Sequence, residues 1–170
     1  KDIGKTDFDL IIEYMPYSRM DRNQNGNCFT LKHVCKLIKS ALSDNNKIYV
    51  VEPHSDVTLE KLGAIKINTS AMLAKMALTN PTNWIIDVIC YPDKGAKARF
   101  SEVIKTDLPI VYCNKVRDFD TGEIKGLEIA SDTEVDLKGK NVLIVDDLCS
   151  KGGTFYFTAK KLKEEGANII

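Results

Sequence analysis

Two adjacent carboxylates, Asp146 and Asp147, directly follow the apolar run of residues 142–145. A polar loop comes next and ends in the sequence Gly-Gly-Thr at residues 152–154. Paired carboxylates can bind a ribose diol or a metal ion, and glycines let backbone N–H groups approach a phosphate closely. An apolar strand that ends in aspartate can also be purely structural, but the acids and the loop at this spacing favour a phosphosugar site.

The apolar run that precedes the two acids is short and rich in β-branched residues. This pattern, bounded by acids and glycines, is typical of a strand buried on both faces of a parallel sheet. A helical pattern begins at about Thr154 and has Gly166 as its stop signal. Ligands of parallel sheets bind at the carboxyl ends of the strands, and the N-terminus of a following helix offers N–H groups to an anion. The sequence therefore predicts an anion site between this strand and this helix.

Strand and helix patterns alternate along the whole chain, which predicts an α/β fold with mainly parallel sheets. Strands are predicted at residues 10–15, 48–51, 84–90, 109–113, 127–135 and 142–145, and the last residues resemble a new strand. Helices are predicted at 30–42, 70–78, from about 95 to 104, and 154–166. We expect irregular chain from about 57 to 68, and a hairpin tip or lid at the charged residues 114–125.

Two of these helices carry more specific predictions. Thr30 is expected to cap the first helix. The second helix is expected to turn Met72, Leu73, Met76 and Ala77 towards the core. A domain boundary is expected near Thr69, because the strand pattern restarts after it.

Composition excludes several classes of protein. The 170 residues are 44% hydrophobic and carry 24 basic and 24 acidic side chains, so a packed core is feasible and no basic excess indicates nucleic-acid binding. The five cysteines show no CxxC spacing, which favours free thiols in a cytoplasmic protein over a disulfide framework. No apolar run approaches the length of about 18 residues that a membrane span needs, so we expect no membrane association.

Polar side chains also follow three other predicted strands. They are Arg19, Asp21 and Arg22 after the first, His54 after the second, and Asp93 and Arg99 after the strand at 84–90. Converging strand ends are what an active site on a parallel sheet requires. Each has a simpler interpretation: His54 as a solvated loop histidine, Asp93 as a turn aspartate, and the arginines as surface charges.

The order of these loops is more informative than any one of them. PYSRMDR, EPHS, PDKGAKAR, NKVR and VDDLCSKGGT follow one another along residues 10–170. This succession resembles that of the ribose-phosphate diphosphokinases, also called phosphoribosyl-diphosphate (PRPP) synthetases, which have the type I phosphoribosyltransferase fold. A phosphoribosyltransferase would share the last motif but has no reason to carry the first three.

The resemblance implies two phosphoribosyltransferase-like (Rossmann-like) domains. Residues 1–68 would form part of an N-terminal domain on the ATP side, and residues 69–170 a C-terminal domain on the ribose 5-phosphate side. It also implies that the chain is an excerpt of a longer polypeptide and that the protein is a homo-oligomer. The implied reaction transfers diphosphate from ATP to the anomeric hydroxyl of ribose 5-phosphate, with Mg²⁺, and gives PRPP and AMP.

The resemblance assigns roles at matching positions. Arg19 and Asp21 would lie at the ATP site, and His54 would hold ATP phosphates or magnesium. Asp93 would be a magnesium ligand. Lys115 and Arg117, on a mobile flap, would act with His54 as catalytic residues. The ribose 5-phosphate site would comprise Asp146, Asp147, Ser150, Lys151, Gly152, Gly153 and Thr154.

The chain departs from the family pattern in four places. Met20 replaces a glutamine, Glu52-Pro53 replaces Asp-Leu, Ala96 replaces a glycine, and Ser150-Lys151 replaces Asp-Thr in the sugar loop. Serine in that loop resembles the transferases, so a phosphoribosyltransferase that uses PRPP is a second hypothesis. A third is a catalytically silent regulatory subunit, although the implied flap and metal residues are all present.

Overall fold

The computed structural model describes residues 8–23, 26–79, 85–117 and 124–169, without the side chains of Lys115, Arg117, Ile124, Lys125 and Ile169. The chain divides into two compact units, Lys1–Thr69 and Ser70–Ile170. The boundary expected from the sequence lay between residues 68 and 69. The assignment of one part to ATP and the other to ribose 5-phosphate stays a prediction.

The first unit is a three-stranded parallel sheet in the order β1-β2-β3, with two helices. Its elements are β1 (Leu10–Ile12), α1 (Thr30–Ser40), β2 (Ile48–Val51), α2 (Asp56–Leu62) and β3 (Ile65–Ile67). The core forms where α1 and α2 cover the sheet, and its buried members are Met15, Leu31, Cys35, Ile48, Val50 and Leu62. Because β1 and β2 are parallel neighbours, the loops that follow them lie at the same edge of the sheet.

The second unit has a five-stranded sheet in the order β6-β5-β4-β7-β8. Its elements are α3 (Thr69–Thr79), β4 (Val88–Tyr91), α4 (Lys94–Phe100), β5 (Ile110–Arg117), β6 (Ile124–Ser131), β7 (Asn141–Ile144), α5 (Gly153–Glu164) and β8 (Asn168–Ile169). The pairs are parallel except β5–β6, which is an antiparallel hairpin. The predicted α/β fold with mainly parallel sheets is therefore confirmed.

Both faces of the second sheet are covered. All four residues of β4 are buried, and the successive residues of β7 pack alternately on the two sides. Val142 joins the cluster that contains Cys90 and Leu162 of α5, whereas Leu143 joins the cluster that contains Tyr91 and Phe100 of α4. A strand apolar on both faces reads as an unbroken apolar run, which is why the sequence identified β7.

Two local predictions for the first unit were wrong. The chain expected to be irregular up to residue 68 contains α2 and β3, which are only 7 and 3 residues long and too short to show a clear period. Thr30 is the first residue of α1 and not its cap; the N-cap is Phe29, with no side-chain hydrogen bond.

Helix α3 also faces the other way from the prediction. Met72, Leu73 and Met76 are 57%, 60% and 58% exposed, while Ala74 is buried against Ile89 and Tyr91. Because apolar residues lie all around this helix, its sequence does not indicate which side packs.

The remaining elements differ from the prediction mainly at their ends. Helix α4 stops at Phe100, β5 extends to Arg117, and its hairpin partner β6 ends at Ser131. Trp84, the predicted start of β4, lies outside the described residues. All five cysteines are free, as expected. Among the helices that the structure describes, none has both the length and the apolar character of a membrane span.

Candidate functional site

The acidic pair Asp146–Asp147 leaves the sheet beside Asp93. Strands β4 and β7 are parallel neighbours with Cys90 opposite Ile144, so both chains emerge at the same edge. The N–H of Val145 donates to the Cys90 carbonyl at 3.0 Å and extends this pairing by one residue. The carboxyl ends of the two strands therefore deliver three aspartates to one edge of the sheet.

Arg99, which lies on α4, joins the acidic pair. Its Nη2 lies 2.9 Å from Oδ1 of Asp147 and 3.7 Å from Oδ1 of Asp146. The side chains are largely buried, with exposed fractions of 24% for Arg99 and 6% for Asp147. The backbone N–H of Asp147 also donates to Asp146 Oδ1 at 3.0 Å. The pair is thus held both by its own backbone and by a cation from helix α4.

The charged form of Asp146 is unfavourable in the folded protein. Burial, together with the neighbouring Asp147 carboxylate, raises the pKa of Asp146 to about 6, with the Asp147 backbone N–H and Arg99 opposing the rise. A second negative charge at this edge is therefore unfavourable near neutral pH. A ligand that brings a cation or hydroxyl donors would relieve that cost.

Asp93 caps α4. Its Oδ1 accepts a hydrogen bond from the Ala96 N–H at 2.8 Å, which satisfies one of the N–H groups left over at the start of a helix. Gly95 lies against this carboxylate: a Cβ added there would be 3.1 Å from Asp93 Oδ1. Asp93 therefore has the structural role expected of a turn aspartate. The second oxygen of its carboxylate can still bind a ligand.

The predicted phosphate loop leads directly into α5. Gly152 is the N-cap residue with a φ of 74°, a left-handed conformation that favours glycine, and α5 begins at Gly153 without a side-chain cap. No atom lies within 4 Å of a Cβ added at Gly152 or Gly153, so there is space beside the backbone. Ser150, Lys151 and Thr154 are exposed. The helix N-terminus, a flanking cation and two hydroxyls suit an anion such as a phosphate.

The first unit has its own acidic group. Asp21 is 4% exposed and forms a two-point ion pair with Arg22, from Nε at 2.8 Å and from Nη2 at 3.1 Å. The hydrogen bond from Arg22 lowers the pKa of Asp21, and the Ser55 side chain and His54 lower it further, against the opposing effect of burial. The structure thus brings together Asp21 and His54, which the sequence placed on different loops. Arg19 is exposed on the same loop as Asp21.

Both loops of the first unit contain an unusual backbone conformation. Tyr17 has a φ of 58° and Glu52 a φ of 44°; no other non-glycine residue that the structure describes has a positive φ. Such conformations are uncommon and cluster at ligand-binding loops. Sequence reasoning had noted Glu52 only as a departure from a family pattern, and residue type alone carries no signal for this conformation.

Lys115 and Arg117 lie near the end of β5, opposite Leu127 and Ile124 of β6. Their side chains are outside the described part of the chain, as are residues 118–123 between the strands. The sequence predicts a hairpin tip or a lid for residues 114–125; residues 114–117 and 124–125 belong to the two strands of an antiparallel hairpin. The catalytic role of the two cations stays a prediction.

Magnesium was predicted at Asp93 and His54. Within the described residues no group of three or more His, Cys, Asp or Glu side chains could hold a metal ion. Magnesium commonly binds one or two carboxylates and completes its shell with substrate oxygens and water, so Asp93, or one carboxylate of the acidic pair, fits it without a set of three protein ligands. Burial raises the pKa of Asp146, which means that its charged form is unfavourable, and a bound cation would offset that cost. The imidazole of His54 fits a phosphate contact better, because magnesium prefers oxygen ligands.

Arg99 is the site residue that sequence reasoning left without a role. It was recognised as an arginine downstream of Asp93, but its contact with Asp147 joins residues 48 positions apart. No local pattern indicates such a contact. The structure brings Asp93, Arg99, Asp146 and Asp147 together in the second unit, and Asp21 and His54 in the first.

Comparisons with known proteins agree with this picture. The family model described as "Phosphoribosyl transferase domain" matches residues 58–170. The ribose-phosphate pyrophosphokinase of Saccharolobus solfataricus is 30% identical over 177 residues, which cover 100% of this chain and 57% of that protein. That of Sulfurisphaera tokodaii is 30% identical over 171 residues, covering 99% and 57%. The chain thus spans little more than half the length of these relatives.

A solved structure shares the fold. The crystal structure of phosphoribosylpyrophosphate synthetase from Mycobacterium smegmatis superposes with a TM-score of 0.74 at 22% identity, over 95% of this chain and 51% of that one. The resemblance to PRPP synthetases expected from the order of the motifs is confirmed.

Proposed function

Because this chain belongs to the phosphoribosyl transferase domain family, we propose that the polypeptide carrying it is a PRPP synthetase. The reaction would transfer the terminal diphosphate of ATP to ribose 5-phosphate. The anomeric oxygen attacks the β-phosphorus and loses its proton, the bond from that phosphorus to the α,β-bridging oxygen breaks, and AMP leaves. This reaction needs positioning and charge neutralisation more than covalent chemistry.

One observation carries the proposal. A largely buried carboxylate pair lies at the end of β7, and a loop that starts α5 with a left-handed Gly152 follows a few residues later. The carboxylates can accept hydrogen bonds from the two ribose hydroxyls. Gly152 and Gly153, with Ser150, Lys151 and Thr154, can surround the 5-phosphate.

The first unit supports an additional substrate. A carboxylate held ionised beside Arg22, with His54 nearby and Arg19 exposed on the same loop, suits a nucleotide whose phosphates meet the imidazole and arginine. In the proposed reaction this nucleotide is ATP.

Lys115 and Arg117 would supply the positive charge that the transition state needs. They lie on a hairpin, an element that can close over a bound substrate and exclude water. Bound magnesium would neutralise the diphosphate, with Asp93 as its protein ligand and substrate oxygens and water in the rest of its shell. The residues of this chain would orient the two substrates, hold the ribose hydroxyls and surround the 5-phosphate.

The test is the release of AMP by the purified natural polypeptide that contains this sequence. It is incubated with ATP, ribose 5-phosphate and magnesium, and AMP and PRPP are quantified by chromatography. We expect the two products in equal amounts, with formation of both dependent on ribose 5-phosphate. AMP without PRPP would indicate hydrolysis and contradict the proposal.

The transferase-like Ser150-Lys151 favours one alternative, a phosphoribosyltransferase that consumes PRPP. Incubation with PRPP and each common nucleobase separates the two reactions. Pyrophosphate release that depends on a base, without AMP formation from ATP, would replace the synthetase by a transferase. Neither activity, with retained binding to synthetase subunits, would favour a regulatory subunit.

A further inference from the structure

Arg99 connects two acidic loops of the second unit. It lies on α4, which begins directly after Asp93, and its guanidinium contacts both carboxylates that follow β7. We propose that Arg99 is a positioning residue for the sugar, which acts through Asp147 to hold the acidic pair in the orientation that binds the ribose hydroxyls. This inference rests on the proposed function.

The contact is built to fix orientation. The Arg99 Nη2 donates to Asp147 Oδ1 at 2.9 Å, a charge-assisted hydrogen bond between side chains that are 24% and 6% exposed. Limited solvent access preserves such a bond, and loss of the cation would remove a positive charge that offsets the burial of the Asp147 carboxylate. The planar guanidinium contacts both carboxylates from one position, which the flexible ammonium of a lysine reproduces less well.

Helix α4 ties this contact to the predicted magnesium ligand. The Asp93 carboxylate is fixed at its start by the Ala96 N–H, and Arg99 extends from its last turn. A Cβ at Gly95 would lie 3.1 Å from Asp93 Oδ1 and 3.7 Å from Arg99 Nη1, so glycine leaves room for both groups. One short helix therefore sets the place of Asp93 and, through Arg99, of the acidic pair.

The first experiment compares Arg99→Met and Arg99→Lys with the unmodified polypeptide, with Lys105→Met as a matched control. Lys105 follows α4 and forms an ion pair with Glu102, and the two side chains are 75% and 83% exposed. Its replacement therefore removes one positive charge at a surface position that is not part of the acidic pair. We expect Arg99→Met to raise the KM for ribose 5-phosphate by about 10- to 100-fold, as supporting residues of ligand-binding groups do.

In Arg99→Met the KM for ATP should change by less than about twofold. The KM of Arg99→Lys for ribose 5-phosphate should lie between those of Arg99→Met and the unmodified polypeptide. Lys105→Met should have the same KM as the unmodified polypeptide. An unchanged KM for ribose 5-phosphate in Arg99→Met would overturn the inference. If Arg99→Met does not fold, the KM of Arg99→Lys for ribose 5-phosphate is compared with that of the unmodified polypeptide instead. Thermal unfolding then checks that Arg99→Lys is folded.

The second experiment tests whether Arg99 acts through Asp147. Arg99→Met, Asp147→Asn and the double variant form a double-mutant cycle. If the inference holds, the double variant binds ribose 5-phosphate about as weakly as Asp147→Asn alone, because the charge-assisted contact through which Arg99 acts is already lost in that single variant. Two effects that multiply would show that Arg99 acts by another route.

Failure of the proposed function would be visible separately. If the unmodified polypeptide releases no AMP, the synthetase proposal fails, and the affinity for ribose 5-phosphate is then measured by calorimetry on the same variants. Weaker binding in Arg99→Met but not in Lys105→Met would still support the positioning role. Equal affinities, or no binding by any of the proteins, would overturn it.

Discussion

Each unit places an aspartate–arginine ion pair after a parallel strand, but the two pairs are built differently. Asp21 and Arg22 are neighbours in sequence, and the Arg22 side chain is 67% exposed. Arg99 and Asp147 are 48 residues apart, and the Arg99 side chain is 24% exposed. The first pair can form wherever its loop is, and water screens it. The second exists only when α4 and β7 are packed together, so loss of one of its partners should destabilise the fold more.

The same difference appears in the titration of the acids. The pKa of Asp21 lies below its ordinary value because of Arg22, so this acid is a fixed anion. Burial raises the pKa of Asp146 to about 6, so the acidic pair of the second unit does not hold both charges easily. The loop after β1 therefore contains an acid whose charge is already balanced by Arg22. The acidic pair after β7 would be stabilised by a ligand that brings hydroxyl donors or a cation.

The largest effect is expected at Lys115, outside both loops. Lys115→Ala should reduce kcat for AMP release by at least about 100-fold, because a cation on the developing charge acts mainly in the transition state. The KM values for ATP and ribose 5-phosphate should change little. Steady-state kinetics with Lys140→Ala, an exposed lysine before β7, provide the comparison. An unaltered kcat would remove Lys115 from the reaction, and a rise in one KM alone would assign the hairpin to that substrate.

The next effect should separate the two loops by substrate. Asp147→Ala should raise the KM for ribose 5-phosphate by about tenfold or more, because it removes an acceptor for a ribose hydroxyl. The KM for ATP should stay nearly unchanged. Asp21→Ala should affect ATP instead. Initial rates at varied concentrations of each substrate test both variants. If Asp147→Ala moves only the ATP constant, the sugar site has been assigned to the wrong loop.

The parts of the fold that could be predicted are those with a strong local pattern. Strand β2 has the predicted bounds, and β7 was recognised because burial on both faces makes an unbroken apolar run. Elements of 3 and 7 residues, β3 and α2, were missed because they span too little chain to show a period. The exposed face of α3 was assigned wrongly because apolar residues surround the helix, and only its packing against the sheet decides which side is buried.

The candidate site shows the same limit. Order along the chain was enough to identify the acidic loops, since each motif is local and follows a strand. The contact of Arg99 with Asp147 and the proximity of His54 to Asp21 depend on which strands become neighbours, and residue types alone do not encode that. The positive φ of Glu52 likewise follows from the packed loop and has no signal in the sequence.

A smaller effect concerns pH and the acidic pair. The pKa of Asp146 rises from 3.8 to about 6 in the folded state, so the folded protein binds this proton more tightly than the unfolded chain. The destabilisation from Asp146 is absent below pH 3.8, grows between 3.8 and about 6, and is complete above 6. Asp147 and Arg99 face the same carboxylate, and Arg99 offsets part of the cost.

Asp146→Asn should therefore raise the midpoint of thermal unfolding by roughly 2–6 °C at pH 7.5 and by almost nothing at pH 4. Calorimetry in the presence of a chelator, with no ligand added, measures this difference. A stabilisation that is the same at both pH values would mean that burial of the charge is not its cause.

The smallest effect is expected at the exposed ion pair. Arg22→Gln should lower the midpoint of thermal unfolding at pH 7 only a little, because solvent screens the Arg22 guanidinium and because Ser55 and His54 still favour the ionised form of the buried Asp21. The small difference should vanish in acid: a lowered pKa stabilises the folded state above the ordinary pKa, and this contribution is lost as pH falls through the folded pKa. Arg99→Gln, the same substitution at the buried pair, should lower the midpoint clearly more at pH 7. If the two variants unfold at the same temperature, burial and packing do not distinguish the two ion pairs.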